Sequence, residues 1–449
     1  MQGVTLTVAL ICSTLVLLLR PPYALAAYIA ALVWYPYYLV VSIGTIDISV
    51  GRIVVFVLLL RCVCDDGIRK NFVWSRLDTW VALSMAVYVV MYCITRPLST
   101  AIENRAGFIM DTWFAYIVVR FIVTDKETLT SFMKVTAVVL TALAILGVVE
   151  SVTHSQPFLG LKRFRPWDKP WGAPVGDTAH LRWGLARAIG PFGHSIMFGS
   201  CFLMFLPMIW ALRHQRGYWG KLAYPLSGIA AIGALSSMSS GPWVAEIVLF
   251  FCLLMERFKR WVKPAIICFV LLCIFIEIYS NRPFYRVLIS YANPVGGDAR
   301  QRSKLIDLAI ENFGEWWLAG YGDKDPGWGE RYFYASYTDV TNEFIRAGVD
   351  YGLLGLLAFC AVLVAAFCGL SHVSKQTTDR ELQSFCWSLG SSVVCLIVVW
   401  LSVSFYGQAW PLFYSILGII GSSVHFARSS KFNGPSTAAG AIVSFPLSK

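Results

Sequence analysis

Apolar stretches of about 17–22 residues recur along the chain, separated by short polar turns and by two longer polar excursions. Inside hydrocarbon every backbone N–H and C=O must be paired within its own segment. Unbroken apolar runs therefore predict α-helices rather than strands. The runs fall at residues 4–19, 23–43, 46–60, 79–94, 107–123, 133–152, 196–212, 222–239, 243–255, 264–279, 344–370, 385–406 and 410–426. This predicts about thirteen spans; the stretches at 46–60 and 243–255 are short for a core of about 30 Å, and a tilted or re-entrant path there gives twelve. The predicted fold class is all-α: a polytopic integral membrane protein with about 12–13 transmembrane helices and a large external loop before the last three. Residues 1–426 form one membrane domain, with a first external loop at 154–195 and a larger one at 281–343. The Ser-, Gly- and Ala-rich stretch 427–449 is expected to be a disordered cytoplasmic tail.

Composition supports the lipid setting. The 449 residues are 57% hydrophobic and 14% charged, with mean hydropathy +0.63, whereas a soluble domain carries about 25% charged residues. A formal charge of +11 could signal nucleic acid. Here the basic residues flank spans instead, so no nucleic-acid partner is expected. Arg213, Arg216 and Lys221, then Arg257, Lys259, Arg260 and Lys263, sit in short turns, as do Lys375, Arg380, Arg428 and Lys431. The positive-inside rule puts these turns in the cytoplasm, and alternation then puts 154–195 and 281–343 outside. The N-terminus lacks a basic leader region, so residues 4–19 are read as a retained span. Most of the twelve cysteines lie in apolar runs, where they act as small hydrophobes. Cys62 and Cys64 have no second pair and no nearby His, so no metal site is expected. Phosphate-loop, dinucleotide and serine-hydrolase signatures are absent from the sequence, and no cofactor is expected.

The two external loops run against the usual bias, because they hold basic residues outside. The first carries Lys162, Arg163, Arg165, Trp167, His180, Arg182, Arg187 and His194. The second carries Arg282, Arg286, Arg300, Arg302 and Lys304, followed by Gly-rich turns. Arg and Trp at a membrane interface also anchor helices to headgroups. Arg nonetheless suits a diphosphate, since its planar fork makes paired charge-assisted hydrogen bonds. A helix beginning near Thr341 and Asn342 would point its positive end at this loop, a natural anion site; Thr and Asn there are equally ordinary N-caps. Asp111, Glu150, Glu246 and Glu277 fall toward the outer ends of their helices. They would face a polar cavity or cap at the interface.

The segment Arg-Ala-Ile-Gly-Pro-Phe-Gly-His-Ser at 187–195 resembles the Arg-x-x-Gly-x-Phe segment of the O-antigen ligase and polymerase superfamily. Leu-Ser-Ser-Met-Ser-Ser-Gly at 235–241 is similar to that family's Ser-rich helix end, with Ser240 where Arg is frequent. Arg302 leading through 307–310 to Leu-Ala-Gly-Tyr-Gly at 318–322 resembles its Arg-helix-Gly-x-Gly run, and Asn342 followed by Gly352 and Gly355 resembles its terminal signature. The resemblance covers residues 187 to the last span. It implies a GT-C-like glycosyltransferase of the bacterial inner membrane that moves a glycan from an undecaprenyl-diphosphate carrier to an acceptor glycan or lipid, without nucleotide sugar or metal. Polysaccharide-assembly proteins are possible partners. Arg187, Arg300 and Arg302, with Thr341 and Asn342, would bind the diphosphate and glycan. The family's His falls at Thr341, which cannot act as a base near neutral pH; Asp339, Glu343 or His194 would serve, or transfer is lost. The alternatives are a transporter or flippase of lipid-linked glycans, for which no broken helix or internal symmetry is visible in the sequence, and a non-catalytic assembly subunit.

Overall fold

The computed structural model describes residues 1–44, 46–165, 181–294, 299–333 and 335–432. About 76% of the described residues are helical, with almost no sheet among them. Six helices are long and apolar enough to cross a membrane: Arg76–Thr95, Lys126–Thr153, Ser195–His214, Lys259–Tyr279, Glu343–Gln376 and Arg380–Trp400. At about 1.5 Å per residue, 20 residues match a hydrocarbon core of about 30 Å. Shorter apolar helices accompany them at Gln2–Leu18, Pro21–Trp34, Ser240–Met255 and Ala409–Ser423.

The chain opens with α1 (Gln2–Leu18) and α2 (Pro21–Trp34). The apolar run 23–43 does not continue as one helix. Pro36 has no N–H to give, and the β-branched residues beyond it form β1 (Val40–Ile43) against β2 (Ile46–Ser49), antiparallel with Val40 opposite Ser49. Ser49 then caps α3 (Val50–Cys64) by accepting from the Arg52 N–H. After the single turn α4 (Asp66–Arg69), a capping box of Ser75 and Asp78 opens α5 (Arg76–Thr95). The span expected at 107–123 starts earlier and is interrupted: α6 (Leu98–Ile109), a π turn at Met110–Phe114, and α7 (Ala115–Ile122). Asp125 caps α8 (Lys126–Thr153). The expected positions then hold for α9 (Ser195–Ala211), α10 (Tyr218–Ser236), α11 (Ser240–Met255) and α12 (Val262–Tyr279).

The core sits around α9, whose apolar window is 94% buried; that of the helix holding α12 is 0% buried. A helix apolar on every side belongs either inside a bundle or in lipid, and these two illustrate each case. Close approach to α9 depends on missing side chains. A Cβ at Gly147 would lie 2.5 Å from Phe198, and one at Gly233 2.8 Å from Phe202. At the end carrying the short basic turns, Arg120 is buried with Asp78, Nε to Oδ1 2.7 Å. Its other nitrogens donate to the Val73 carbonyl and to Ser422 Oγ, and the Tyr116 hydroxyl donates to Asp78. Such a pair is tolerable away from water only because its remaining donors and acceptors are met.

The large loop is folded rather than slack. It holds α13 (Phe284–Tyr291), α14 (Ala299–Glu311) and α15 (Phe313–Trp316). Leu305, Leu308, Trp316 and Trp328 form a small apolar core of their own with Val349. Asp325 accepts from the Gly327 N–H and from both N–H and Oγ1 of Thr338, which closes the Gly-rich turns. The chain then enters α16 (Glu343–Gln376), which is broken at Gly352 (φ 72°). The carbonyls that the break would orphan are taken by the loop: Tyr321 N–H donates to Val349 O and Gly322 N–H to Asp350 O, while Leu353 N–H donates to Trp317 O. A broken helix is therefore present where none was expected, since the run at 344–370 was read as one continuous span. The bundle closes with α17 (Arg380–Trp400) and α18 (Ala409–Phe432). That helix runs past the boundary expected at 426, and residues 433–449 of the expected tail lie outside the described residues.

Candidate functional site

Arg187 is presented by an extended segment held on every side. Glu150, buried near the end of α8, accepts from the Ile189 and Gly190 N–H groups, both at 2.9 Å. Ser151 binds Ala186 through backbone and side chain, the Ala188 N–H donates to Ser236 O, and Gln156 donates to the Arg187 carbonyl. With its backbone fixed, the Arg187 side chain reaches Ser239 Oγ at 3.0 Å and keeps a buried Nε without a hydrogen-bond partner among the described residues.

Ser239 precedes α11 and also meets the Ser195 hydroxyl, 3.1 Å away, which starts α9. Two helix N-termini therefore converge on Arg187, each bringing a positive dipole end. Lys162 donates to the Gly193 carbonyl at 3.0 Å and Arg182 to the Met238 carbonyl at 2.9 Å. Among the described residues, Lys162, Arg182 and Arg187 have no carboxylate partner. Burial pushes the Arg187 guanidinium down to about 10, and the neighbouring charges of Arg182 and Arg302 push the same way. Burial and then Arg187, Lys162, Arg182 and Arg302 drive the His194 imidazole down to about 3. The ring is neutral near pH 7. Its Nδ1 accepts from the Ile196 N–H, which leaves the proton on Nε2. His194 therefore suits donation to an anion better than removal of a proton.

The large loop contributes to the same end of the molecule. Arg302, in α14, lies close enough for its charge to act on both Arg187 and His194, so the sequence-predicted pair from separate loops is brought together. Arg300 is exposed in the first turn of α14. Asn342 caps α16 by accepting from the Phe344 and Ile345 N–H groups, the ordinary reading of that position. The Thr341 hydroxyl is buried without a partner among the described residues. Glu343 turns inward, where its Oε2 accepts from the Phe405 N–H at 2.7 Å. Asp339 keeps its carboxylate accessible while protein surrounds much of it, as in a cleft. Burial raises its pKa against the opposing charge of Arg346. It neighbours Tyr406, whose phenol also feels Arg187.

The outer carboxylates divide into tied and untied groups. Asp111 pairs with Arg52, Glu150 holds the Arg187 segment, and Glu277 accepts from the Phe284 N–H. Glu246 keeps one buried oxygen without a partner among the described residues. Trp167 and His180 lie outside the described residues. Tyr37 and Tyr406, which face each other at 6.2 Å beside this cluster, are absent from the sequence reading. The only local signals for them are the breaker residues Pro36 and Gly407 alongside. No family model matches the chain, and no curated protein matches it.

Proposed function

We propose that the chain is a membrane glycosyltransferase that takes a glycan from an undecaprenyl-diphosphate carrier and passes it to an acceptor sugar or lipid. In this reading it is of the O-antigen ligase or polymerase type, GT-C-like with about 12–13 spans, and works at the outer face of a bacterial inner membrane. The observation that carries it is the cluster of Lys162, Arg182 and Arg187 at the joined starts of α9 and α11, without a carboxylate partner among the described residues and with Arg302 delivered from a second loop. Such a cluster costs free energy unless an anion fills it. A diphosphate is the anion that paired guanidinium forks and helix N-termini suit best.

In the reaction, Arg187, Arg302 and the Nε2–H of His194 hold the diphosphate. The acceptor hydroxyl oxygen attacks the anomeric carbon from the opposite face as the carbon–oxygen bond to the diphosphate breaks. The leaving lipid diphosphate keeps the electron pair, and the cationic cluster stabilises that charge as it develops. Asp339 takes the acceptor's proton. It is the exposed residue among the candidate bases, and burial of its surroundings raises its pKa.

Arg187→Ala or Arg302→Ala is expected to lower surface polymer by at least about 100-fold, the usual cost of one transition-state charge contact, with protein level unchanged. Normal polymer in both variants overturns the diphosphate assignment. In a deletion strain, accumulated single lipid-linked units identify a polymerase and accumulated long chains a ligase. The broken helix α16 favours a second reading, a transporter of lipid-linked glycans, since transporters unwind helices at their substrate sites. Against it, the 25 residues from Gly352 onward span roughly 37 Å, more than a whole hydrocarbon core, so the break sits at the membrane boundary rather than the midplane.

A further inference from the structure

A separate cavity of about 250 Å³ lies on the far side of Tyr37, between the end of α2, the β1–β2 hairpin, the start of α3 and the turn before α18. Its chemistry differs from that of the basic cleft. Tyr35 and Tyr37 give it aromatic walls, and Asp47, Arg52, Asp111 and Gln408 give it polar ones. Arg52 holds Asp111 through Nε, at 3.1 Å to Oδ1, and through Nη2, at 2.6 Å to Oδ2; its Nη1 donates to the Asp47 carbonyl. A guanidinium carries more N–H groups than these bonds use. The pair is not sealed, since Arg52 and Asp111 keep 28% and 27% of their side-chain exposure.

Tyr37 also borders the basic cluster, through Gly193 beside His194 and through Tyr406, and it is built to stay in place. A Cβ at Gly193 would lie 3.0 Å from the Tyr37 ring and hydroxyl, and one at Gly407 2.8 Å from the ring. Two glycines thus grip the ring from the His194 loop and from the turn before α18. Gln408 ties the same corner by donating to the Tyr35 and Pro191 carbonyls. The lining residues are held to one another and to the hairpin by these bonds. They enclose space equal to about eight waters at about 30 Å³ each, below the roughly 300–1,000 Å³ of sites for larger ligands.

We infer that this cavity is a subsite for one neutral saccharide ring, resting on the glycan-transfer reading above. Two carboxylates against one guanidinium exclude an anion. Ring hydroxyls can donate to Asp47 and Asp111 and accept from the Arg52 N–H groups that its pair leaves over, while a ring face lies on tyrosine. The size admits one ring, and Tyr37 puts that ring beside the basic cluster.

The test uses the full chain in lipid nanodiscs and saturation-transfer NMR with methyl glycosides of glucose, galactose, mannose and N-acetylglucosamine. At least one glycoside is expected to bind. Its affinity should fall at least about tenfold in Asp111→Asn and in Asp47→Asn, the ratio for one lost charge-assisted hydrogen bond of about 1.4 kcal/mol. Asp47→Asn leaves the Arg52 pair intact, so it reads the cavity even where Asp111→Asn fails to fold. Absence of transfer to every glycoside, or unchanged affinity in folded Asp47→Asn, overturns the subsite. A glycosyl diphosphate whose affinity falls in Arg187→Ala but is unchanged in Asp47→Asn and Asp111→Asn, beside glycoside binding that falls in Asp47→Asn, assigns the cavity to the acceptor ring. A glycosyl diphosphate whose affinity falls in both Arg187→Ala and Asp111→Asn assigns it to the donor ring. Normal polymer in Arg187→Ala and Arg302→Ala beside glycoside binding through Asp47 would sink the transfer reading and leave the subsite standing.

Discussion

At the scale of single residues, His194 is the point where sequence and structure part most clearly. As a histidine before a span it reads as a candidate base, but its surroundings are decided by Lys162, Arg182, Arg187 and Arg302, which converge on it from three segments. Only the tertiary fold reveals that crowding. The depressed pKa has a consequence with a definite sign. An unfolded His titrates near about 6.5, whereas folded His194 takes its proton only near about 3. As pH falls below about 6.5 the unfolded chain binds a proton that the folded one refuses, so stability is lost across that window. His194→Asn keeps a side-chain acceptor at the cap. Thermal unfolding in detergent between about pH 7 and 5 is expected to fall less steeply in His194→Asn than in the wild type. Equal slopes would show that the cluster does not act on the ring. The charge pattern, by contrast, marked two loops whose basic residues run against the bias that otherwise orders the chain, and it was the family resemblance that singled out Arg187 and Arg302 within them.

At the scale of elements, the hydropathy pattern located α8, α9, α10, α11, α12 and α17 well, since their apolar runs are long and bounded by polar turns. It failed where local chemistry overrides composition. The run at 23–43 ends in a hairpin because Pro36 stops a helix and the residues beyond are β-branched. The break in α16 was invisible because Gly348 and Gly355 stand beside Gly352 without breaking the helix, and the partner segment that fixes the break, around 317–322, lies in another part of the chain. Gly320 and Gly352 both have φ of 72°, and each would drive a Cβ within 2.7 Å of the other's backbone segment. Gly352→Ala and Gly320→Ala are each expected to destabilise by on the order of 1–3 kcal/mol or more. Gly228→Ala, in open space on α10, should stabilise by about 0.5–1 kcal/mol. Thermal melts of the three variants check this. Equal melting for Gly352→Ala and Gly228→Ala would contradict the proposed docking of the loop onto the broken helix.

At the scale of the whole molecule, the described parts of both long loops, the hairpin and the ends of α2, α8, α10, α12 and α17 lie toward one end, while the short basic turns meet at the other, where Lys126 pairs with Asp379 and Arg213 with Glu256. Tyr38 of the hairpin donates to the Phe158 carbonyl, and Arg96 after α5 pairs with Asp323, so the loops are tied to the bundle at that end. This arrangement gives the charge pattern a direct test. Alkaline phosphatase fused after Gly160 is expected to be active, and fused after Arg216 or Lys259 inactive; the reverse would put the basic cluster in the cytoplasm. The central claim is that the cluster handles a diphosphate during transfer of a glycan. The most direct measurement is release of lipid diphosphate from a radiolabelled lipid-diphosphate-linked glycan by the purified chain in nanodiscs. Release matched one for one by growth of the acceptor, and lost in Arg187→Ala, is the expected result. Movement of the intact donor across the bilayer with no bond broken, or full release in Arg187→Ala, would contradict it.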